Sequence, residues 1–128
     1  MKIFNEEPKT WQELQIRCAK ILEDIGYITE VEKNINTVRG VVNVDVFATN
    51  KDINQVILVE CKNWETKVPK SVIHSCRSVV SDFGANTGYV VSKTGFQSGS
   101  FEAVKNTNVI LMNFEEFQEY FKIPYLEY

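Results

Sequence analysis

The sequence predicts an α/β fold, a mixed β-sheet flanked by helices on both faces, with elements in the order αβββαβαβα. Three patterns carry this reading. Trp11, Leu14, Cys18, Ile21, Leu22 and Ile25 recur at helical spacing. The runs Val41-Val42-Asn43-Val44-Asp45-Val46-Phe47 and Val56-Ile57-Leu58-Val59-Glu60-Cys61-Lys62 are rich in the β-branched residues that strands favour. Beyond them, short apolar runs alternate with helical stretches, which gives a layered sheet with helices on both sides.

The first helix is expected over 11–25, with Thr10 as N-cap, Glu13 as its capping-box partner and Gly26 as C-cap. Tyr27 to about Val31 reads as a first strand, and the more polar Glu32-Lys33-Asn34-Ile35-Asn36-Thr37 as a connection. Strands near 38–48 and 55–62 flank a polar link at 49–54, short enough for an antiparallel pair. Pro69 suits the first turn of a helix over about 70–82. A strand at 88–91 follows, then a helix capped by Ser98 or Ser100 and running to about Lys105, a strand at 108–112, and a helix from about Glu115 to Lys122. Gly84 and Gly95 read as turn residues. No repeat or Pro/Gly-rich linker interrupts the chain, so residues 1–128 are expected to form one domain.

Composition excludes several classes. A 44% hydrophobic and 24% charged chain is of ordinary globular type. The N-terminus has no apolar run for a signal peptide, and nothing approaches the ~20 apolar residues that span a membrane, so a cytoplasmic protein is expected. Cys18, Cys61 and Cys76 have no CxxC spacing and imply neither a disulfide framework nor a zinc site. A net charge of −3 argues against a general nucleic-acid coat protein. Charge is uneven, however. Lys62, Lys67, Lys70 and Arg77 outnumber Glu65, whereas Glu102, Glu115, Glu116, Glu119 and Glu127 outnumber Lys105 and Lys122. The basic stretch suits a polyanion or, equally, a solvated helix face.

Asp45, Glu60 and Lys62 are charges inside strands that should be apolar. Burying a carboxylate costs several kcal/mol or more unless it is paired, hydrogen-bonded or bound to a metal. Alternation along a strand places Glu60 and Lys62 on one face, and it predicts that Asn43, Asp45 and Phe47 share a face opposite Val42, Val44 and Val46. An antiparallel pairing would bring Asp45 and Glu60 within reach of one ion. Two carboxylates with a carbonyl and waters suit a hard cation such as Mg²⁺, and Lys62 beside them suits developing negative charge. The same residues also admit a plain buried ion pair with no function.

Asp45 followed by Glu60-x-Lys62 resembles the core of PD-(D/E)XK nucleases. Leu22-Glu23-Asp24-Ile25-Gly26-Tyr27, Val59-Glu60-Cys61-Lys62-Asn63-Trp64 and Gly88-Tyr89-Val90-Val91-Ser92-Lys93-Thr94-Gly95-Phe96 extend the resemblance to the Mrr-like restriction endonuclease branch, over roughly 11–117. The resemblance implies a restriction-endonuclease-like fold and hydrolysis of DNA with Mg²⁺ or Mn²⁺. Asp45, Glu60 and the Cys61 main-chain carbonyl would be metal ligands, and Lys62 the catalytic lysine. Members of the branch commonly place a glutamate eleven residues before the glycine matching Gly26, where this chain has Gln15. Glu13, two positions away, should point off that helix face.

Lys67, Lys70, Arg77 and Lys93 are the candidates for DNA phosphate contacts, with His74 a further one or else a surface or packing residue. Trp64 suits stacking on a base or sugar, or capping the sheet edge. Ser92 and Thr94, flanking Lys93, suit phosphate contact or ordinary turn chemistry. The expected function is a restriction- or defence-related DNA endonuclease, acting as a homodimer if it cuts both strands, with specificity supplied by a separate recognition subunit or by its own loops. A Holliday-junction-type resolvase and a non-catalytic nuclease-like DNA- or protein-binding module are the alternatives.

Overall fold

In the computed structural model, which describes residues 6–122, one five-stranded sheet organises the chain. Met1–Asn5, expected to carry no signal peptide, and Glu127 of the C-terminal acids lie outside the described residues. The elements are α1 (Trp11–Asp24), β1 (Ile28–Thr37), β2 (Gly40–Asn50), β3 (Gln55–Lys62), α2 (Lys70–Phe83), β4 (Thr87–Ser92), α3 (Ser100–Ala103), β5 (Val109–Met112) and α4 (Phe114–Tyr120). The expected αβββαβαβα order and mixed sheet are borne out. Strands lie in sequence order, β1 to β3 antiparallel and β3 to β5 parallel.

Two cores cover the two faces. On one, Leu14, Cys18, Ile21 and Leu22 of α1 and Phe117 of α4 pack on Val46, Ala48, Ile57, Val59 and Cys61. On the other, Ile73, Cys76 and Val80 of α2 pack on Ile35, Val44, Leu58, Val90 and Val109. Alternation in β3 divides its residues between the two. All three cysteines are buried and unbridged. Among the described residues no helix is long and apolar enough to cross a membrane.

The caps follow local chemistry. Thr10 Oγ1 accepts from the Glu13 N–H at 3.1 Å, while the Glu13 carboxylate takes the N–H of Lys9 at 2.8 Å rather than that of the cap residue. Gly26, just beyond α1, has φ 106°, the left-handed region glycine enters freely. Pro69 stands at the N-cap of α2. The third helix is shorter than expected and is capped by Gly99 rather than by Ser98 or Ser100.

Two expectations are corrected. Residues 32–37 are the second half of β1, not a connection, with Asn34 opposite Asn43 and Ile35 opposite Val42. Their polarity reflects an edge strand with much of its length in water; only Ile35 is buried. The faces of β2 also do not alternate throughout. Val42 and Val44 pack on the α2 side, as does Phe47, whereas Val46 and Ala48 pack on the α1 side. The β1–β2 ladder passes from Val31–Val46 to Lys33–Val44, skipping Glu32 opposite Asp45, and Glu32 has φ 52°. A left-handed residue in a strand kinks the pleat. The hairpin therefore changes faces at Asp45.

Candidate active site

The kink sets the place of Asp45. The β2–β3 ladder runs from Asn50–Gln55 to Val46–Val59 and stops there. Beyond it the Cys61 N–H donates to Asp45 Oδ2 at 2.7 Å, so a side chain replaces the next rung. The other oxygen, Oδ1, accepts from Gln15 Nε2 at 3.0 Å, and Gln15 is 3% exposed on α1. Both donors fix the carboxylate, and a carboxylate accepts further bonds on its remaining lone pairs.

Glu60 stands on the next strand, near enough to Asp45 for the two carboxyls to act on each other electrostatically. Burial and the Asp45 carboxylate push its pKa up to about 7, against the opposing pull of Lys62. Lys62 Nζ lies 3.6 Å from Glu60 Oε2 and 5.2 Å from the centroid of the Trp64 ring. Cys61, between them, turns its side chain to the other face. The neighbouring Cys18 thiol and burial push the Cys61 thiol well up, so it stays protonated and only its main chain is available to a hard cation.

A cleft of about 420 Å³ opens on the α2 side, with Glu60 and Lys62 facing Ser71, Ser75 and Cys76 of α2 and Asn43 of β2. Asn43 Nδ2 is itself held by Asn34 Oδ1 at 2.9 Å. The hairpin tip is tied to α2, Arg39 Nε lying 2.9 Å from Asp82 Oδ2, so the cleft has a braced wall.

Among the residues singled out in the sequence, Asp45, Glu60, Cys61, Lys62 and Gln15 converge. Glu13 does not; it is engaged by Lys9 and lies 3.8 Å from Arg17. His74 and Arg77 are exposed on α2 and do not line the cleft. Lys67 and Lys70 are exposed, and Lys93 is held by Glu65 at 2.6 Å. Ser71 and Ser75 line the cleft and were not singled out. Their spacing of four, with Val72, Cys76 and Val79 on the sheet-facing side, is the signal that marks them.

Among the described residues no three His, Cys, Asp or Glu side chains gather as a metal-ligand group. The donor set is thus two carboxylates, with main-chain oxygen and water to complete it. That chemistry fits Mg²⁺ or Mn²⁺, which keep several waters.

The restriction endonuclease model Mrr_cat matches residues 8–121. The chain belongs to this family. The Mrr_cat match spans both carboxylates, the lysine and α1, and bears out the resemblance read from the sequence. Among solved structures, this Mrr_cat chain is similar to a protein of unknown function, AF1548, at 14% identity and TM-score 0.70, covering 82% of this chain and 59% of that one. It is also similar to EndoMS in apo form, at 14% identity and TM-score 0.53, covering 86% and 48%. The EndoMS–dsDNA complex gives 17% identity and TM-score 0.52, covering 88% and 49%. At these identities the likeness is one of fold. The chain spans about half to three-fifths of the length of these proteins. No curated protein matches it.

Proposed function

We propose that this Mrr_cat chain is a divalent-metal-dependent DNA endonuclease, restriction- or defence-related. One observation carries the reading: Asp45 is bound to the main-chain N–H of Cys61, the residue between Glu60 and Lys62, and the Lys62 ammonium lies 3.6 Å from the Glu60 carboxylate. Asp45, Glu60 and the Cys61 carbonyl would hold Mg²⁺ or Mn²⁺. Such an ion polarises a phosphoryl oxygen and lowers the pKa of water.

The chain's own groups do the rest. Gln15 and the Cys61 N–H keep the Asp45 carboxylate in one orientation. Lys62 orients the attacking water and offsets charge that grows on the phosphate. Ser71 and Ser75, across the cleft, offer hydroxyls to the backbone. Lys67, Lys70 and Lys93 are the candidates for phosphates further along; His74 and Arg77, outside the cleft, would meet only DNA that wraps around α2. EndoMS has been seen with double-stranded DNA, which supports DNA as the substrate here. A homodimer would cut both strands, and a separate recognition subunit would supply specificity. The proposed compartment is the cytoplasm.

The test is incubation of supercoiled, linear and four-way-junction DNA with Mg²⁺ or Mn²⁺, beside Asp45→Ala and Lys62→Ala. Metal-dependent cutting of ordinary duplex, lost in both variants, supports the endonuclease. Cutting confined to junctions makes the chain a resolvase. No cutting, with no metal uptake by calorimetry, makes it a non-catalytic module.

A further inference from the structure

From the contacts around Lys62 we infer that Trp64 is a positioning residue for hydrolysis: its ring holds the Lys62 ammonium off Glu60 and leaves its N–H groups for substrate. The inference rests on the nuclease reading.

Lys62 Nζ is 3.6 Å from Glu60 Oε2. The two form an ion pair, but one longer than a charge-assisted hydrogen bond of about 2.7–2.9 Å, so the ammonium has not closed fully onto the carboxylate. The Trp64 ring, 5.2 Å from Nζ, attracts it from another side. An aromatic face draws a cation through its quadrupole and takes no directed hydrogen bond. A second carboxylate in the same place would consume an N–H; the ring does not. It anchors the charge and keeps its donors available.

The ring has a fixed mount. Thr94 Oγ1 lies 3.1 Å from the Trp64 carbonyl oxygen and 2.6 Å from that of Thr66. The Lys93 N–H donates to the Lys62 carbonyl at 3.0 Å, and Lys93 Nζ meets Glu65 Oε1 at 2.6 Å. The loop after β4 thus laces residues 62–66 in place. This assigns Thr94 and the main chain of Lys93 to holding the segment that carries Lys62 and Trp64. Trp64 is 39% exposed, so it is not needed to fill the core. Without the ring, the four-carbon stem of Lys62 is free to fold onto Glu60 and compete with a cation for that carboxylate.

Trp64→Leu and Trp64→Phe test this with two readouts. In DNA cleavage, Trp64→Leu is expected to lower kcat roughly 5- to 30-fold, to raise the Mg²⁺ concentration needed, and to leave KM for DNA unchanged; Trp64→Phe retains most of kcat. By NMR of the metal-free, DNA-free protein, the Lys62 ε-protons are expected upfield of those of other lysines through ring shielding. They return to the common position in Trp64→Leu and stay shifted in Trp64→Phe. Unshifted Lys62 protons in the wild type overturn the inference. So does a Trp64→Leu variant with normal kcat, or one impaired only in KM, which would make Trp64 a stacking surface. Wild-type protein that cuts no DNA overturns the nuclease reading and the catalytic role of Trp64 with it; the shielding then decides the Lys62–Trp64 contact alone.

Discussion

Gln15 Nε2 donates to Asp45 Oδ1 at 3.0 Å, from a helix residue that is 3% exposed to a carboxylate at the kink of β2. The resemblance read from the sequence implies a glutamate here, and the difference has a definite consequence. A glutamine supplies a donor, so Asp45 is satisfied before any cation arrives. A glutamate supplies none and adds a third carboxylate to a crowded pair.

Gln15→Glu is therefore expected to destabilise the metal-free protein at pH 8 by about 1–3 kcal/mol, the usual cost of leaving a buried polar group unpaired. It should also bind Mg²⁺ more tightly, so that the metal stabilises the variant more than the wild type. Urea unfolding with and without Mg²⁺ measures both. A variant as stable as wild type in metal-free buffer contradicts the hydrogen-bonded role of Gln15.

Glu60 sets a pH dependence with a definite sign. Its folded pKa is raised from 4.5 to about 7 by burial and by Asp45, so the folded state holds a proton that the unfolded state has lost. Stability from this group is fully present below pH 4.5 and is lost as pH rises through about 7. The metal-free wild type should thus lose urea resistance between pH 5 and pH 8 relative to Glu60→Gln, which keeps a neutral side chain throughout. Mg²⁺ should cancel the loss at pH 8. A wild-type midpoint that rises relative to Glu60→Gln over that interval runs against the assignment.

The two faces of α2 give a paired prediction. Both residues are exposed, but Ser75 lines the cleft opposite Glu60 and Lys62 while His74 lies outside it. Ser75→Asp puts a carboxylate where phosphate would pass and where it can capture Lys62. Cleavage should fall by about 10-fold or more, the scale of a like charge set directly beside a phosphate-binding site. His74→Asp should change it less than about 2-fold, as a surface substitution does. Equal effects in a cleavage assay would mean that DNA does not enter by this cleft.

The legible part of the site was the part with a local period. Glu60 and Lys62, two residues apart in a buried run, share a face because the strand repeats every two, and the structure keeps them together. Asp45 was legible as a misplaced charge, but its orientation was not. That depends on Glu32, thirteen residues earlier, taking φ 52° on a neighbouring strand, a non-local event without a residue preference of its own. The same polarity that hid the second half of β1 follows from its place at the sheet edge, where few of its side chains meet the core. Ser71 and Ser75 carry no charge to look out of place, so only their spacing of four beside the apolar face of α2 marks them.

The last prediction concerns how α2 is held against the sheet, since that distance sets the cleft. A Cβ built on Gly88 of β4 would stand 2.5 Å from Val80 Cγ2 and 3.3 Å from Cys76 Sγ, closer than atoms pack. The helix therefore lies directly on the glycine backbone. Gly88→Ala forces α2 to lift and is expected to cost about 1–3 kcal/mol, as overpacking does. Val80 is fully buried, so Val80→Ala alone leaves a cavity and is also destabilising. In the double variant the new methyl occupies the space the valine vacated. Its loss of stability in urea should be smaller than the sum of the two single losses, by about 0.5–3 kcal/mol for residues in contact. Strict additivity would mean that Gly88 and Val80 do not meet and that something other than this contact sets the height of α2.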